Sequence, residues 1–432
     1  MLPIESANTT GMCLQQLNTD CLMEIFSNNS LTLTDLCSIA ETCTRFKEIA
    51  EQIFPKDLRV SGAYDNEYEL ESKKYGEDWC CIEEFERILK NFGSYVSRVT
   101  MRWNDRLVKP LAKYCGTATL QHLYIWGLHS GQSKGLTMKL KAPFQRMLAL
   151  SFYSCDLMTL ATYPYIIRCD SLIELKIAFS GNCVTMLRNT FPKLERFTFY
   201  ENFMFSKCND RKNEPYSQIF LPNFLRRHKR LTTLHLSSDG VCCSSQLIET
   251  IADNCTELTN LTLEPSSETS FNFSHLKNLR KLSMLAVSLD QIDHPQLIAL
   301  LEVLKLITTL KLNYISGPSE HEPQIFSVIS QLQNLCELHL EYYHFDQIPW
   351  SKLRKLRTVL LRKPVVEFPT SHPLPIIREL RNLEELSYYG YDNAFELSSE
   401  DFGEIVPQLA TWLNEDKLTY EETIVEGFNN IP

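Results

Sequence analysis

The chain of 432 residues predicts an α/β fold, a solenoid in which short parallel strands alternate with helices. Two observations predict it. An apolar pattern recurs about a dozen times between Val96 and Tyr388, at steps too short for separate domains. In each copy the last two apolar residues lie two apart, so they share one face of a strand while the residue between them points the other way.

The copy taken as reference is Leu279, Leu282 and Met284, with Val287 and Leu289 behind it. Its spacing turns Leu282 and Met284 inward and Ser283 and Leu285 outward. Before it run Val96/Val99/Met101, Leu120/Leu123/Ile125, Met147/Leu150/Phe152/Cys155/Leu157, Leu172/Leu175/Ile177, Leu194/Phe197/Phe199/Asn202, Leu231/Leu234/Leu236 and Leu258/Leu261/Leu263. After it come Ile307/Leu310/Leu312, Leu335/Leu338/Leu340, Leu356/Val359/Leu361 and Leu383/Leu386/Tyr388. Successive starts lie mostly 21 to 28 residues apart, with one 37-residue step from Leu194 to Leu231. That is the leucine-rich-repeat period. The expected fold is therefore an α/β leucine-rich-repeat solenoid, a horseshoe with its strands on the concave side.

Helices fill the gaps between strands. Leu247, Ile248, Ile251 and Ala252 form one stripe within 244–253, and the segments 295–305 and 323–331 each open on a proline, which a first helical turn accepts. A single strand–helix unit buries too little to stand alone, whereas stacked units bury each other's apolar faces.

Composition narrows the function. The chain is 44% hydrophobic and 22% charged, ordinary for a folded protein, and its net charge of −10 argues against nucleic-acid binding through bulk charge. Met1 to Thr10 holds no basic residue, so no signal peptide is expected, and no apolar run reaches membrane-spanning length. The fifteen cysteines are scattered with no Cys-x-x-Cys, which fits free thiols in the cytosol or nucleus better than zinc or disulfides. In such a compartment the Asn-x-Ser/Thr sequons at Asn8, Asn28, Asn254, Asn260 and Asn272 stay unglycosylated.

The amino-terminal stretch departs from the repeat. Leu22, Ile25 and Phe26, then Leu36, Ile39, Ala40 and Cys43, then Phe46, Ile49, Ala50 and Ile53 recur at helical spacing. Asn18 or Thr19 caps the first helix, and Thr32 with Asp35 resembles a capping box for the second. Such a small module needs a partner or the following domain to cover its apolar face. Leu17-Asn18, Leu22, Ile25-Phe26, Leu31, Asp35-Leu36, Cys43-Thr-Arg-Phe46 and Ile49-Ala50 together resemble an F-box. The resemblance covers about forty residues. F-box followed by leucine-rich repeats is the layout of one large class of that family. Three departures stand out: Leu17-Asn18 replaces the usual Leu-Pro, Asn28-Asn29 look like two extra residues, and Phe46 sits where Trp is common. Asn18 loses proline's fixed φ but keeps a capping side chain.

The acidic stretch from Ser61 to Trp79 reads as a solvated connection, and Phe85, Ile88, Leu89 and Phe92 as a capping helix stopped by Gly93. An insertion rich in Lys, Asn and Asp spans 203–216, and Arg226 to Arg230 is a basic run at a helix end. Phe402, Ile405, Val406, Leu409, Trp412 and Leu413 form a terminal capping stripe, followed by an acidic tail from Glu415 to Glu426. The organisation expected is a helical module at 14–56, a linker and capping helix at 57–94, about twelve repeats at 95–397 and a cap with its tail at 398–432.

Motifs for chemistry are weak. Gly131-Gln-Ser133-Lys-Gly135 matches a nucleophile elbow in letters, but it lies in a polar loop without the required strand and helix. His339 and His344 straddle a strand end without metal-ligand spacing, and no phosphate loop or dinucleotide fingerprint occurs. No catalytic residue, metal or cofactor is expected. What the resemblance implies is a non-catalytic, substrate-recruiting subunit of a Skp–cullin–F-box ubiquitin ligase. Leu17, Asn18, Leu22, Ile25, Leu31 and Leu36 would dock on a Skp-type adaptor, and through it on a cullin. The alternative is a repeat scaffold that binds a protein partner with no ligase. Either way no membrane or nucleic-acid partner is expected.

The outward strand positions give a candidate target surface. The first five strands offer Arg98, Arg102, Tyr124, Trp126, Tyr153, Lys176, Arg196 and Tyr200, whereas the later ones mix Lys281, Lys311 and Arg362 with Glu264, Glu337, Glu341 and Glu385. Arginine and aromatic side chains are common interface anchors, and guanidinium forks suit carboxylate or phosphate. The expected target segment is acidic or phosphorylated.

Overall fold

The computed structural model describes residues 14–64, 67–71, 77–115, 119–128, 145–155, 169–179, 184–201, 216–238, 245–264, 273–289, 294–314, 322–341, 348–362, 380 and 382–389. Leu157, Asn202, the segment 131–135, nearly all of the insertion at 203–216 and everything expected of 398–432 lie outside them. The chain divides into two compact units, 1–173 and 174–432.

The first unit opens with α1 (Thr19–Phe26), α2 (Leu33–Ala40) and α3 (Thr44–Ile53). The Asn18 Oδ1 accepts the Cys21 N–H at 2.7 Å, so asparagine does cap α1. At α2 the Asp35 N–H donates to Thr32 Oγ1 at 3.1 Å, and the Thr32 N–H returns to Asp35 Oδ2 at 3.0 Å. Leu22, Phe26, Leu33, Leu36, Phe46 and Ile49 are buried together, with the Phe26 and Phe46 rings edge to face at 5.2 Å.

The acidic stretch that follows is ordered as strands, not as a solvated connection. β1 (Asp57–Tyr64), β2 (Glu67–Glu71) and β3 (Glu77–Cys81) come first, and β1 pairs in parallel with β4 (Arg98–Arg102). β2 and β3 extend the sheet antiparallel, and with β5 (His122–Trp126) and β6 (Ala149–Tyr153) the order is β3-β2-β1-β4-β5-β6. Leu58, Val60, Leu70 and Cys80 are buried, so apolar residues alternate with others along a stretch rich in Asp and Glu. The charged half of the pattern dominates the composition and conceals the strands.

Between β3 and β4 runs α4 (Ile82–Phe92), packed on α2 and on α5 (Asp105–Tyr114). Arg87 Nε donates to Glu41 Oε1 at 2.9 Å and Asn91 Nδ2 to the same oxygen at 2.9 Å. Arg87, then Asn91, hold the Glu41 carboxyl down at about 2. The stacked rings of Phe54 and Phe92 lie 4.3 Å apart. Thus the following domain covers part of the helical module. Gly93 ends α4 for a different reason than a left-handed cap, because its φ is −56°. A Cβ there would sit 2.7 Å from the Tyr114 carbonyl oxygen, so the end of α5 requires glycine.

The second unit is a run of parallel strands: β7 (Glu174–Ala178), β8 (Arg196–Glu201), β9 (Thr233–Ser238), β10 (Asn260–Glu264), β11 (Met284–Leu289), β12 (Thr309–Tyr314), β13 (Glu337–Glu341), β14 (Thr358–Arg362) and β15 (Glu385–Tyr389). They pair in sequence order, in register. Between them lie α6 (Val184–Arg188), α7 (Tyr216–Arg227), α8 (Ser245–Asn254), α9 (His294–Val303) and α10 (Glu322–Ile329). Phe197 of β8 meets Phe224 of α7 at 4.6 Å between ring centroids, which puts the helix on the inward face of the strand. Leucine-rich repeats in an α/β arrangement are therefore the fold.

One expected frame shifts. In β11 the inward residues are Leu285 and Val287, preceded by Leu282, while Met284 is half-buried on the other face. Leu285 aligns with Leu261 and Leu310, and Val287 with Leu263 and Leu312. The copy thus starts at Leu282 instead of Leu279. Leu279 is also buried, in the turn before it, and this made two frames look alike.

The basic run 226–230 is a helix end with one residue turned in. His228 is 3% exposed, its Nε2 accepts the Phe191 N–H at 2.9 Å, and its Nδ1 lies 2.7 Å from the Phe224 carbonyl. Those partners require the neutral ring protonated on Nδ1. Burial pushes its pKa down to about 4. A depressed histidine favours the fold when neutral, so its contribution is complete above pH 6.5 and is lost as pH falls towards 4, roughly 3 kcal/mol in all. Chemical denaturation across that window should show His228→Gln with a flatter loss of stability than wild type; an unchanged slope would remove His228 as the cause.

Candidate functional site

Each strand sends alternate side chains to the face away from the helices, and the in-register ladders align them in rows. In the first unit the rows are Arg98–His122–Ala149, Thr100–Tyr124–Ser151 and Arg102–Trp126–Tyr153. The last row gathers three expected site residues at adjacent strand ends. The Arg102 guanidinium lies 5.6 Å from the Trp126 ring centroid, and Tyr153 is 50% exposed beside it. Turns after these strands are fixed by the Trp103 N–H on the Trp126 carbonyl at 2.8 Å and the Gly127 N–H on the Tyr153 carbonyl at 3.1 Å. Gly127 has φ +70°, which a side chain would strain. Tyr124, expected here too, is half-buried next to Ser151, which is 5% exposed and whose hydroxyl has no hydrogen-bond partner among the described residues.

In the second unit the first strands align Glu174–Arg196–Thr233, Lys176–Thr198–His235 and Ala178–Tyr200–Ser237. Arg196 Nη2 meets Glu174 Oε2 at 2.9 Å, and Lys176 Nζ lies 5.5 Å from the Tyr200 ring centroid. The charge balance differs from the one expected. Arg98 meets Asp57 of β1 at 3.1 Å, so both Arg98 and Arg196 have carboxylates beside them. Among the described residues Arg102 and Lys176 have none, and both lie over aromatic rings. Lys281 leaves the face altogether: it sits before β11 and meets Glu257 at 2.6 Å.

Two histidine–carboxylate clusters escaped sequence reasoning. Tyr200 Oη lies 3.0 Å from His235 Nδ1, and His235 Nε2 faces Glu264 Oε1 at 3.4 Å, joining β8, β9 and β10. The imidazole holds the Glu264 carboxyl below its usual range, while burial and then Glu264 push the Tyr200 phenol up. Farther along, Glu337 takes Lys311 Nζ at 3.1 Å, His339 Nε2 at 2.8 Å and Thr309 Oγ1 at 3.1 Å. Against the upward push of burial, Lys311 and then His339 keep the Glu337 carboxyl low. The signal existed, since all are outward strand positions, but pairing them needs the register across strands. Among the described residues no cluster of three or more His, Cys, Asp or Glu is placed to hold a metal ion, and the described cysteines are free.

The six residues expected to dock an adaptor separate by burial. Leu22 and Leu36 are fully buried and hold the helical module together, whereas Ile25 is 42% exposed. Leu17 and Leu31 are half-buried, and Asn18 is the exposed α1 cap. Leu14, just before them, is 51% exposed. Arg45 reaches from α3 to the Gln15 and Leu17 carbonyls, each at 2.6 Å, and so fixes the segment that carries Leu14 and Leu17.

No protein-family model matches the chain, and no curated protein does. Among solved structures the chain is similar to the TLR13–ssRNA13 complex, at 17% identity over 69% of this chain and 43% of that one, with a TM-score of 0.40. It is also similar to the Drosophila Toll–Spatzle complex, at 11% identity over 80% of this chain and 46% of that one, with a TM-score of 0.43. The chain thus spans less than half the length of each.

Replacing His235 with Phe should release Glu264. Its carboxyl, followed by carbon-13 NMR, is expected to titrate at higher pH than in wild type, and the acid stability it supplies above that range should shrink accordingly. An unmoved Glu264 titration would show that the imidazole does not hold it.

Proposed function

We propose that this chain is the substrate-recognition subunit of a Skp–cullin–F-box ubiquitin ligase. In this reading the helical module ties it to a Skp-type adaptor and, through that, to a cullin. The repeats hold a protein target in the cytoplasm or nucleus, and ubiquitin transfer belongs to other subunits. The observation that carries the reading is the pair of exposed apolar side chains on the module, Leu14 and Ile25, flanked by half-buried Leu17 and Leu31. The module's buried core is made by other residues, among them Leu22, Phe26, Leu33 and Leu36. Large apolar groups exposed on a small folded unit suit a partner helix surface. The row Arg102–Trp126–Tyr153 supports a target-binding role for the repeats, because it combines an arginine free of any described carboxylate with two large rings.

A second reading, a repeat scaffold with the helices as its cap, is favoured by how firmly Glu41 of the α2 end is held to Arg87 and Asn91 of α4. A cap needs that attachment, and a docking module does not.

Co-expression with a Skp-type adaptor separates the two. Leu14→Glu with Ile25→Glu should lower adaptor capture at least about tenfold, as loss of central apolar anchors does, with the melting temperature unchanged. Leu22→Asp should instead unfold the module. Wild-type protein that fails to capture the adaptor would leave the scaffold reading standing.

A further inference from the structure

The edge where the strands of the second unit begin carries a different chemistry from their face. Two repeats of this unit carry Thr256 and Glu257, or Gln333 and Asn334, in the two positions before their first inward apolar residue, but four others carry cations there: Lys229 and Arg230, Arg280 and Lys281, Lys305 beside Leu306, and Arg354 and Lys355. The residues of those four pairs are all exposed. The fold places them on one edge, since the strands they introduce are paired in register. Side chains stitch that edge across three repeats: Asn334 Nδ2 donates to the Lys305 carbonyl at 3.1 Å, and Lys355 Nζ donates to Asn334 Oδ1 at 3.3 Å. In a chain of net charge −10 this concentration of cations stands out.

A cleft of about 470 Å³ opens within it, lined by Lys277, Leu279, Arg280, Val303, Lys305 and Leu306 among others. Val303 and Leu306 are 50% and 53% exposed, values few large aliphatic side chains reach among the described residues. The side chains of Lys277, Arg280 and Lys305 have no carboxylate partner among the described residues. Glu257 of the neighbouring repeat is paired with Lys281, and Glu302 of α9 does not line the cleft. Three cations without a described carboxylate partner, around an aliphatic floor, define the ligand by complementarity. A nucleic acid would use such charges but would call for aromatic platforms, and none lines the cleft. A small inorganic anion would leave the exposed aliphatics without a role.

We propose that this cleft docks an acidic protein segment carrying an aliphatic side chain. The aliphatic group seats between Val303 and Leu306, and flanking Asp or Glu carboxylates meet Lys277, Arg280 and Lys305. The volume lies within the range of ligand pockets that take a few side chains. The site is independent of the ligase reading, because it lies in the repeats and shares no residue with the helical module or with the Arg102–Trp126–Tyr153 row.

The test uses the full chain and fluorescence anisotropy with a labelled peptide, a run of glutamates on either side of one leucine, at about 0.15 M salt so that weak surface charge is screened. Binding is expected, with a loss of at least about tenfold for Arg280→Glu with Lys305→Glu and a several-fold loss when alanine replaces the peptide's leucine. Leu306→Asp should also weaken binding, whereas Arg102→Glu should leave it unchanged. Unchanged thermal melting would keep the variants interpretable as surface changes. Absence of binding, equal binding by the double variant, or equal binding of a polyuridine oligonucleotide of matched charge would overturn the proposal.

Discussion

The molecule depends on one constraint: the apolar row of each strand is buried only if the neighbouring repeat stands in register beside it. A backbone ladder at the start of the strands enforces that register. In the second unit the N–H groups of Thr232, Thr259, Ser283, Thr308, Cys336, Arg357 and Glu384 each reach the carbonyl of the equivalent residue one repeat earlier, at 2.7 to 2.9 Å. The first unit repeats the device through Gln121, Leu148 and Ile173. A slip of one residue would turn the whole inward row to solvent, at about 1.5–3 kcal/mol for each large side chain exposed. No single repeat contributes enough to fold alone, and the ladder makes each repeat the template for its neighbour.

Register has a second consequence. It places outward residues from different repeats at contact distance, so charge on the face is decided pair by pair. Arg98 and Arg196 come to rest against Asp57 and Glu174, while Arg102 and Lys176 come to rest over rings. Ion pairs this exposed add little stability. They do remove a cation from what a partner meets. The residues Tyr200, His235 and Glu264 show the same logic in a half-buried setting, where a hydroxyl, an imidazole and a carboxylate from three strands form one polar line. At the strand-start edge, Arg280 and Lys305 have no carboxylate partner among the described residues.

The helical module follows different rules. Three helices of eight to ten residues have too little surface for a robust core, and capping by Asn18 and Thr32 adds about 1 kcal/mol each at most sites of this kind. What completes it is α4, through the Phe54–Phe92 stack and the Arg87–Glu41 contact. The part left uncovered is small and local, at Leu14 and Ile25.

The spacing of Leu, Ile and Phe by itself determined the repeats, because burial on one side of a strand leaves a period that no other arrangement explains. It also determined the caps of α1 and α2, since Asn18, Thr32 and Asp35 act on backbone only three residues away. Tertiary structure decided the rest. It chose between two frames around Leu279 and Leu282, which local periodicity made equivalent and only alignment with Leu261 and Leu310 separates. It converted an acidic stretch into β1, β2 and β3, because a strand partner can satisfy a backbone whose side chains alone suggest solvent. It required Gly93 for the approach of Tyr114, and it turned His228 inward from a basic run. Each of these depends on atoms distant in sequence. A pattern read along the chain cannot contain a distance that only folding creates.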